Sequence, residues 1–136
     1  MLYLDSNVFL LASLYKDKTA DEARKLLRRV VDGEEHAITC ALTVDEVVWV
    51  LLKKTGKREL AIRQGQRLFD LPNIDIIGVT PEIMLKALQL MKKYPFKPRD
   101  AVHAASALSG GAISIASDDD DFDCIKELKR VRFRKP

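Results

Sequence analysis

Short apolar runs alternate along the chain with longer segments in which apolar positions recur every three or four residues. LYLD at 2–5, AITCA at 37–41, IDIIGV at 74–79, AISIA at 112–116 and RVRF at 130–133 have the length and composition of strands. The first four carry few charges, as strands covered on both faces do. The intervening segments are amphipathic and carry helix start and stop signals. Thr19 precedes a helix predicted to stop at Gly33, with Glu22 in the capping-box position; Thr80 followed by Pro81 starts another, and Pro98 opens a third. The order is strand, helices, strand, helices, strand, helices, strand, short helix, strand. Such alternation predicts an α/β fold with right-handed crossovers and a mainly parallel sheet of about five strands, covered on both faces. No repeat, low-complexity linker or composition break divides the chain. At 136 residues, 47% of them apolar, it suits one packed core, so a single domain over 1–136 is expected.

Charge and cysteine content change this picture only a little. The formal net charge of +3 is mild, but the tail KELKRVRFRKP gathers basic residues, which suits a polyanion partner without requiring one. Cys40 and Cys124 are too few for a disulfide framework and form no C-x-x-C pair, so both are expected as small buried hydrophobes in a reducing cytosol. The apolar N-terminal stretch lacks a positive leading region and contains Asp5, which argues against a signal peptide. No segment reaches the roughly 18 apolar residues of a membrane span. The expectation is a cytoplasmic protein with no membrane attachment.

Open α/β sheets bind ligands beyond the carboxyl ends of their strands, so the residues following each strand carry the functional question. Asp5 follows the first strand in DSN, and Glu46 follows the second in LTVDE. The fourth leads into IASDDDDFD, where five of nine residues are aspartate. Asp100 lies two residues beyond Pro98, in the first turn of the helix that precedes that strand. Each acid has a structural explanation: Asp5 as a helix cap, Glu46 as the partner of Thr43 in a capping box, Asp100 as a first-turn acid favoured by the helix dipole. The aspartate run explains itself as a polar turn, with Asp123 capping a short helix CIKELK. Together the acids are harder to explain this way, because the topology brings several of them to one rim. Two carboxylates about 4 Å apart repel by about 4 kcal/mol at an effective dielectric near 20. Clustered acids must spread into solvent, take up protons or bind a cation. All-oxygen ligation suits Mg²⁺ or Mn²⁺, and the absence of paired His or Cys ligands argues against zinc. For His103, three residues after Asp100, a local hydrogen bond or packing role is preferred over metal ligation. A divalent ion among carboxylates points to phosphoryl chemistry, in which it would also reconcile an acidic pocket with a nucleic acid backbone. An aspartyl phosphatase would need Asp where Asn7 stands, and a receiver-type phosphoacceptor would need adjacent acids after the first strand.

LYLDSNVFL, LTVDEVVWVL, KPRDAVHAASAL and IASDDDDFD resemble, in order and spacing, the four acidic blocks of the PIN domain, especially the small ribonuclease toxins of VapC type. The resemblance runs over essentially the whole chain. It implies a three-layer α/β/α sandwich, a metal-dependent endoribonuclease acting on RNA, a cognate antitoxin protein and a homodimer. By position, the family's acids fall on Asp5, Glu46, Asp100 and Asp119, with Ser117 and Phe122 completing the frame of the fourth block. Asp121 is a secondary ligand candidate. Asn7 and Ser117 are expected to orient a carboxylate or a water. Trp49 is expected in the core or on a dimer surface rather than stacked on RNA, and Arg99 is either a phosphate contact or a locally paired surface charge. The alternative to a nuclease is a PIN-like module that binds RNA or a protein without cutting.

Overall fold

The computed structural model describes residues 1–133. Its sheet contains five strands, all parallel: β1 (Leu2–Leu4), β2 (Ala37–Cys40), β3 (Ile74–Ile77), β4 (Ser114–Ala116) and β5 (Lys129–Val131), in the spatial order β3-β2-β1-β4-β5. Helices α1 (Ser6–Leu14), α2 (Lys18–Val31), α3 (Ala41–Thr55), α4 (Arg58–Leu68), α5 (Pro81–Lys93) and α6 (Pro98–Ser109) complete an α/β architecture. β1 is central, paired through Tyr3 with Ile38 of β2 and Ile115 of β4.

Strand alternation divides the core in two. Tyr3, Ile38, Cys40 and Ile115 project to the side packed by α5 and α6. Leu2, Leu4, Ala37, Ile74 and Ala116 project to the side that packs Val8, Phe9, Leu26, Val47 and Leu51 from α1, α2 and α3. Period-two alternation with both faces buried produces the charge-poor strands of the sequence. α6 presents Ala101, Ala104, Ala105 and Ala107, all fully buried, and their small side chains let the helix lie close against the sheet. A Cβ on Gly65 would stand 2.5 Å from Val48 Cγ2, so glycine there sets the close approach of α4 to α3.

The caps at Thr80 and Pro98 fall where predicted: Thr80 Oγ1 accepts the Ile83 N–H at 3.2 Å, and Pro98 is the first residue of α6. Other starts differ. α2 begins at Lys18, capped by Asp17, whose carboxylate accepts the Ala20 N–H at 2.9 Å; Thr19 is inside the helix and Glu22 completes no capping box. α3 begins at Ala41, two residues before Thr43, and the Cys40 side chain makes no capping bond to it. Thr43 is buried with its hydroxyl bonded to that of Thr39 at 2.7 Å, so Glu46 has no capping role. The segment CIKELK is not helical. A 3-10 turn spans Asp120–Cys124 instead, capped by Asp119, while Asp123 pairs with Arg130. Trp49 is 55% exposed, which removes the core option for it. Cys40 is buried as expected, but Cys124 is only partly so. Among the described residues no helix is long and apolar enough to cross a membrane. The end of the basic tail, residues 134–136, lies outside the described residues.

Candidate metal centre

The carboxyl ends of β1 and β4 lie side by side, and the chain turns away from both at acidic residues. The Asp5 N–H extends the ladder to the Ala116 carbonyl at 3.1 Å. Its carboxylate is then buried at the start of α1, where Oδ1 accepts the Ser6 N–H at 2.8 Å and Oδ2 accepts the Ser117 hydroxyl at 2.7 Å. Asp5 is thus a helix cap as well as an acid of the rim. Ser117 is fully buried and uses its whole hydrogen-bonding capacity. Its hydroxyl donates to Asp5 and accepts from the Asn7 amide at 3.1 Å and the Asp119 N–H at 3.0 Å. The Asn7 amide oxygen in turn accepts the Asp118 N–H at 3.4 Å. A chain of bonds therefore ties the first acid of the sequence to the aspartate segment more than a hundred residues later.

That segment folds back on itself. Asp119 Oδ1 accepts the Asp121 N–H at 2.9 Å, which brings two aspartates two residues apart to the same side. Asp100 joins them from the first turn of α6. One carboxylate oxygen from each of Asp100, Asp119 and Asp121 lies within 4.8 Å of the others. Partial burial, followed by the charges of Asp119, Asp5 and Asp121, pushes the Asp100 carboxyl up to about 6 from an ordinary 3.8. Burial likewise raises Asp5, opposed by His103 and by the Ser117 bond.

Glu46 stands apart from this group. One turn into α3, its Oε1 accepts a hydrogen bond from Nε2–H of buried His103, and the same nitrogen lies 3.6 Å from Asp5 Oδ1. On the other side of the ring, Nδ1 meets the Tyr3 hydroxyl at 2.7 Å. Burial works against a charge on His103, but bonds from Cys40 and Glu46 and the charge of Asp5 win, raising it to about 10. His103 thus makes local hydrogen bonds, and it links Glu46 to Asp5. Tyr3 was not singled out from the sequence, although it shares strand parity with Asp5 and so faces the same layer. Arg99 is exposed, and among the described residues it has no ion pair.

The three-aspartate group suits a hard divalent cation: it is all oxygen, closely spaced, and strained by like charge in a way that a cation relieves. No His or Cys belongs to it, which does not fit zinc.

A family model for the PIN domain matches residues 2–128. The chain belongs to the PIN domain family. This PIN domain also resembles solved structures over nearly its full length. A toxin-antitoxin complex from Klebsiella pneumoniae matches with 22% identity and a TM-score of 0.69, covering 94% of this chain and 95% of that one. VapC20 of Mycobacterium tuberculosis, described as a sarcin-ricin loop cleaving toxin, matches with 14% identity and a TM-score of 0.74, covering 90% and 93%. VapBC2 of Rickettsia felis, bound to a promoter DNA fragment, matches with 17% identity and a TM-score of 0.73, covering 97% and 98%. At these identities the likeness is one of fold. No curated protein sequence matches the chain.

Proposed function

We propose that this PIN domain is an endoribonuclease that depends on Mg²⁺ or Mn²⁺ and serves as the toxin of a VapBC-type pair in the cytoplasm. The observation that carries the reading is the convergence of Asp100, Asp119 and Asp121 at the carboxyl edge of the sheet, with Asp100 raised to about 6 by burial and like charge. Asp5 and Glu46 complete the acidic rim, directly or through water. A divalent ion held by these carboxylates would lower the pKa of its bound water and neutralise charge growing on a phosphodiester. The chain supplies the rest. Ser117 and Asn7 fix the orientation of Asp5 and of the aspartate segment, and His103 fixes Glu46. Arg99, exposed beside Asp100, is available to a flanking phosphate. No side chain acts as a nucleophile.

The VapBC neighbours support an antitoxin partner. Exposed Leu85 and Leu88 on α5 and Trp49 on α3 offer apolar surface for that protein or for a second copy. One observation favours a non-cleaving module: Glu46 lies outside the three-aspartate group, with its Oε1 bonded to His103. Purified protein incubated with structured and single-stranded RNAs, in Mn²⁺ or in EDTA, separates the two readings. Cutting that requires Mn²⁺ and is lost in Asp5→Asn supports the nuclease. Binding of RNA without cleavage in Mn²⁺ supports the module.

A further inference from the structure

The aspartate segment holds four consecutive carboxylates, Asp118 to Asp121, whose mutual repulsion favours an open loop. Besides the bonds of Asn7 and Ser117 to the segment and the Arg132 contact with Asp123 at 3.4 Å, two features among the described residues oppose that opening. One is Phe122, fully buried, its ring centroid 5.9 Å from that of Phe96. The other is Arg130, which sits in β5 opposite Ile115 with a side chain only 5% exposed. Its guanidinium donates from Nε to Asp123 Oδ1 at 2.7 Å and from Nη2 to Asp123 Oδ2 at 2.9 Å, a bidentate pair. The remaining nitrogen, Nη1, donates to the Ser117 carbonyl at 3.2 Å. Ser117 and Asp123 are the two ends of the segment that carries Asp119 and Asp121. A single planar group therefore closes the loop from both sides.

We propose that Arg130 is a positioning residue for the acidic site, fastening both ends of the Ser117 to Asp123 segment so that Asp119 and Asp121 face Asp100 before a cation arrives. The inference rests on the reading of these three aspartates as cation ligands. It requires arginine specifically. Lysine keeps the charge, but as a single point donor it cannot grip both carboxylate oxygens and the carbonyl together. Partners that orient metal ligands typically contribute 10–100-fold to metal affinity.

The test measures Mn²⁺ affinity of the full chain at pH 7.5, from the electron paramagnetic resonance signal of free Mn²⁺. Wild type is compared with Arg130→Met, Arg130→Lys and the exposed β5 control Lys129→Met, and melting in EDTA and circular dichroism report the fold. Arg130→Met is expected to weaken Mn²⁺ binding by about 10–100-fold, Arg130→Lys by about 3–10-fold, and Lys129→Met by less than twofold. A purely structural arginine would lower the melting temperature and leave the affinity of the folded protein unchanged, and that result overturns the proposal. If Arg130→Met does not fold, Arg130→Lys decides by the same criterion. Folded wild type that takes up no Mn²⁺ refutes the ligand reading and this inference with it. Normal uptake by wild type and both Arg130 variants refutes the inference alone.

Discussion

Replacing Asp100 by Asn should destroy cation binding while making the cation-free protein more stable. Raising a carboxyl from 3.8 to about 6 means that its charged form is disfavoured in the folded state, by about 3 kcal/mol at 1.36 kcal/mol per tenfold. Asp100 is only partly buried, and solvent screening reduces the usable figure to about 1.5 kcal/mol. Against this, Asp100 is the acid in the first turn of α6, and removing its charge forfeits about 0.5 kcal/mol of helix-dipole stabilisation. Burial and like charge together win by about 1 kcal/mol. For a chain of this size that corresponds to about 3 °C in Tm. The sign follows from linkage. Because the folded carboxyl is the weaker acid, its contribution to stability is fully present below 3.8 and is lost as pH rises through about 6. The advantage of Asp100→Asn should therefore be largest at pH 7.5 and shrink as pH falls toward 4. The assay is thermal melting in EDTA at both pH values, repeated at pH 7.5 with Mn²⁺. There wild type should gain stability by ligand linkage and the variant should not. A variant melting at or below wild type in EDTA at pH 7.5 would refute the claim that burial and neighbouring carboxylates disfavour the charged form of Asp100.

On the proposed ligand reading, the same carboxyl should set the pH dependence of cation uptake. Asp100 must lose its proton to ligate, so Mn²⁺ affinity should fall by about tenfold from pH 7.5 to pH 5, and titrations giving equal affinities would exclude Asp100 as a ligand. Phe122→Ala should cost about 3–5 kcal/mol, because the ring is fully buried beneath the aspartate segment; a loss below about 1 kcal/mol by urea denaturation would mean that the segment is not anchored through its ring.

What the sequence reveals of this molecule, and what it hides, divides along the reach of the interactions involved. Strands and helix starts that depend on neighbours in the chain are legible, as at Thr80 and Pro98. Where two capping residues compete, the sequence alone does not choose between them. Asp17 and Thr19 are both competent caps, and Asp17 prevails because its carboxylate reaches the Ala20 N–H. The TVDE pattern fails for a tertiary reason: the Thr39 hydroxyl on β2 takes up Thr43, and the helix begins earlier. The acids themselves are visible because each ends a strand or opens a helix.

Tyr3 and Arg130, unlike Asn7 and Ser117, are invisible in the sequence for the same reason that the Thr43 cap is. His103 meets Tyr3 only because α6 packs on β1, and Arg130 meets Ser117 only because β5 lies beside β4. Asp121 is the instructive middle case. A frame that fixes one aspartate by position ranks it behind Asp119. The 3-10 turn returns it to the same side as Asp119, so a carboxylate oxygen of each lies within 4.8 Å of one on Asp100. On the proposed ligand reading, a metal centre assembled this way would depend on tertiary contacts to decide which carboxylates of an acidic run face inward. The four-residue run can therefore be read as acidic from sequence, but which of its carboxylates turn toward Asp100 follows from contacts with Asn7, Ser117 and Arg130.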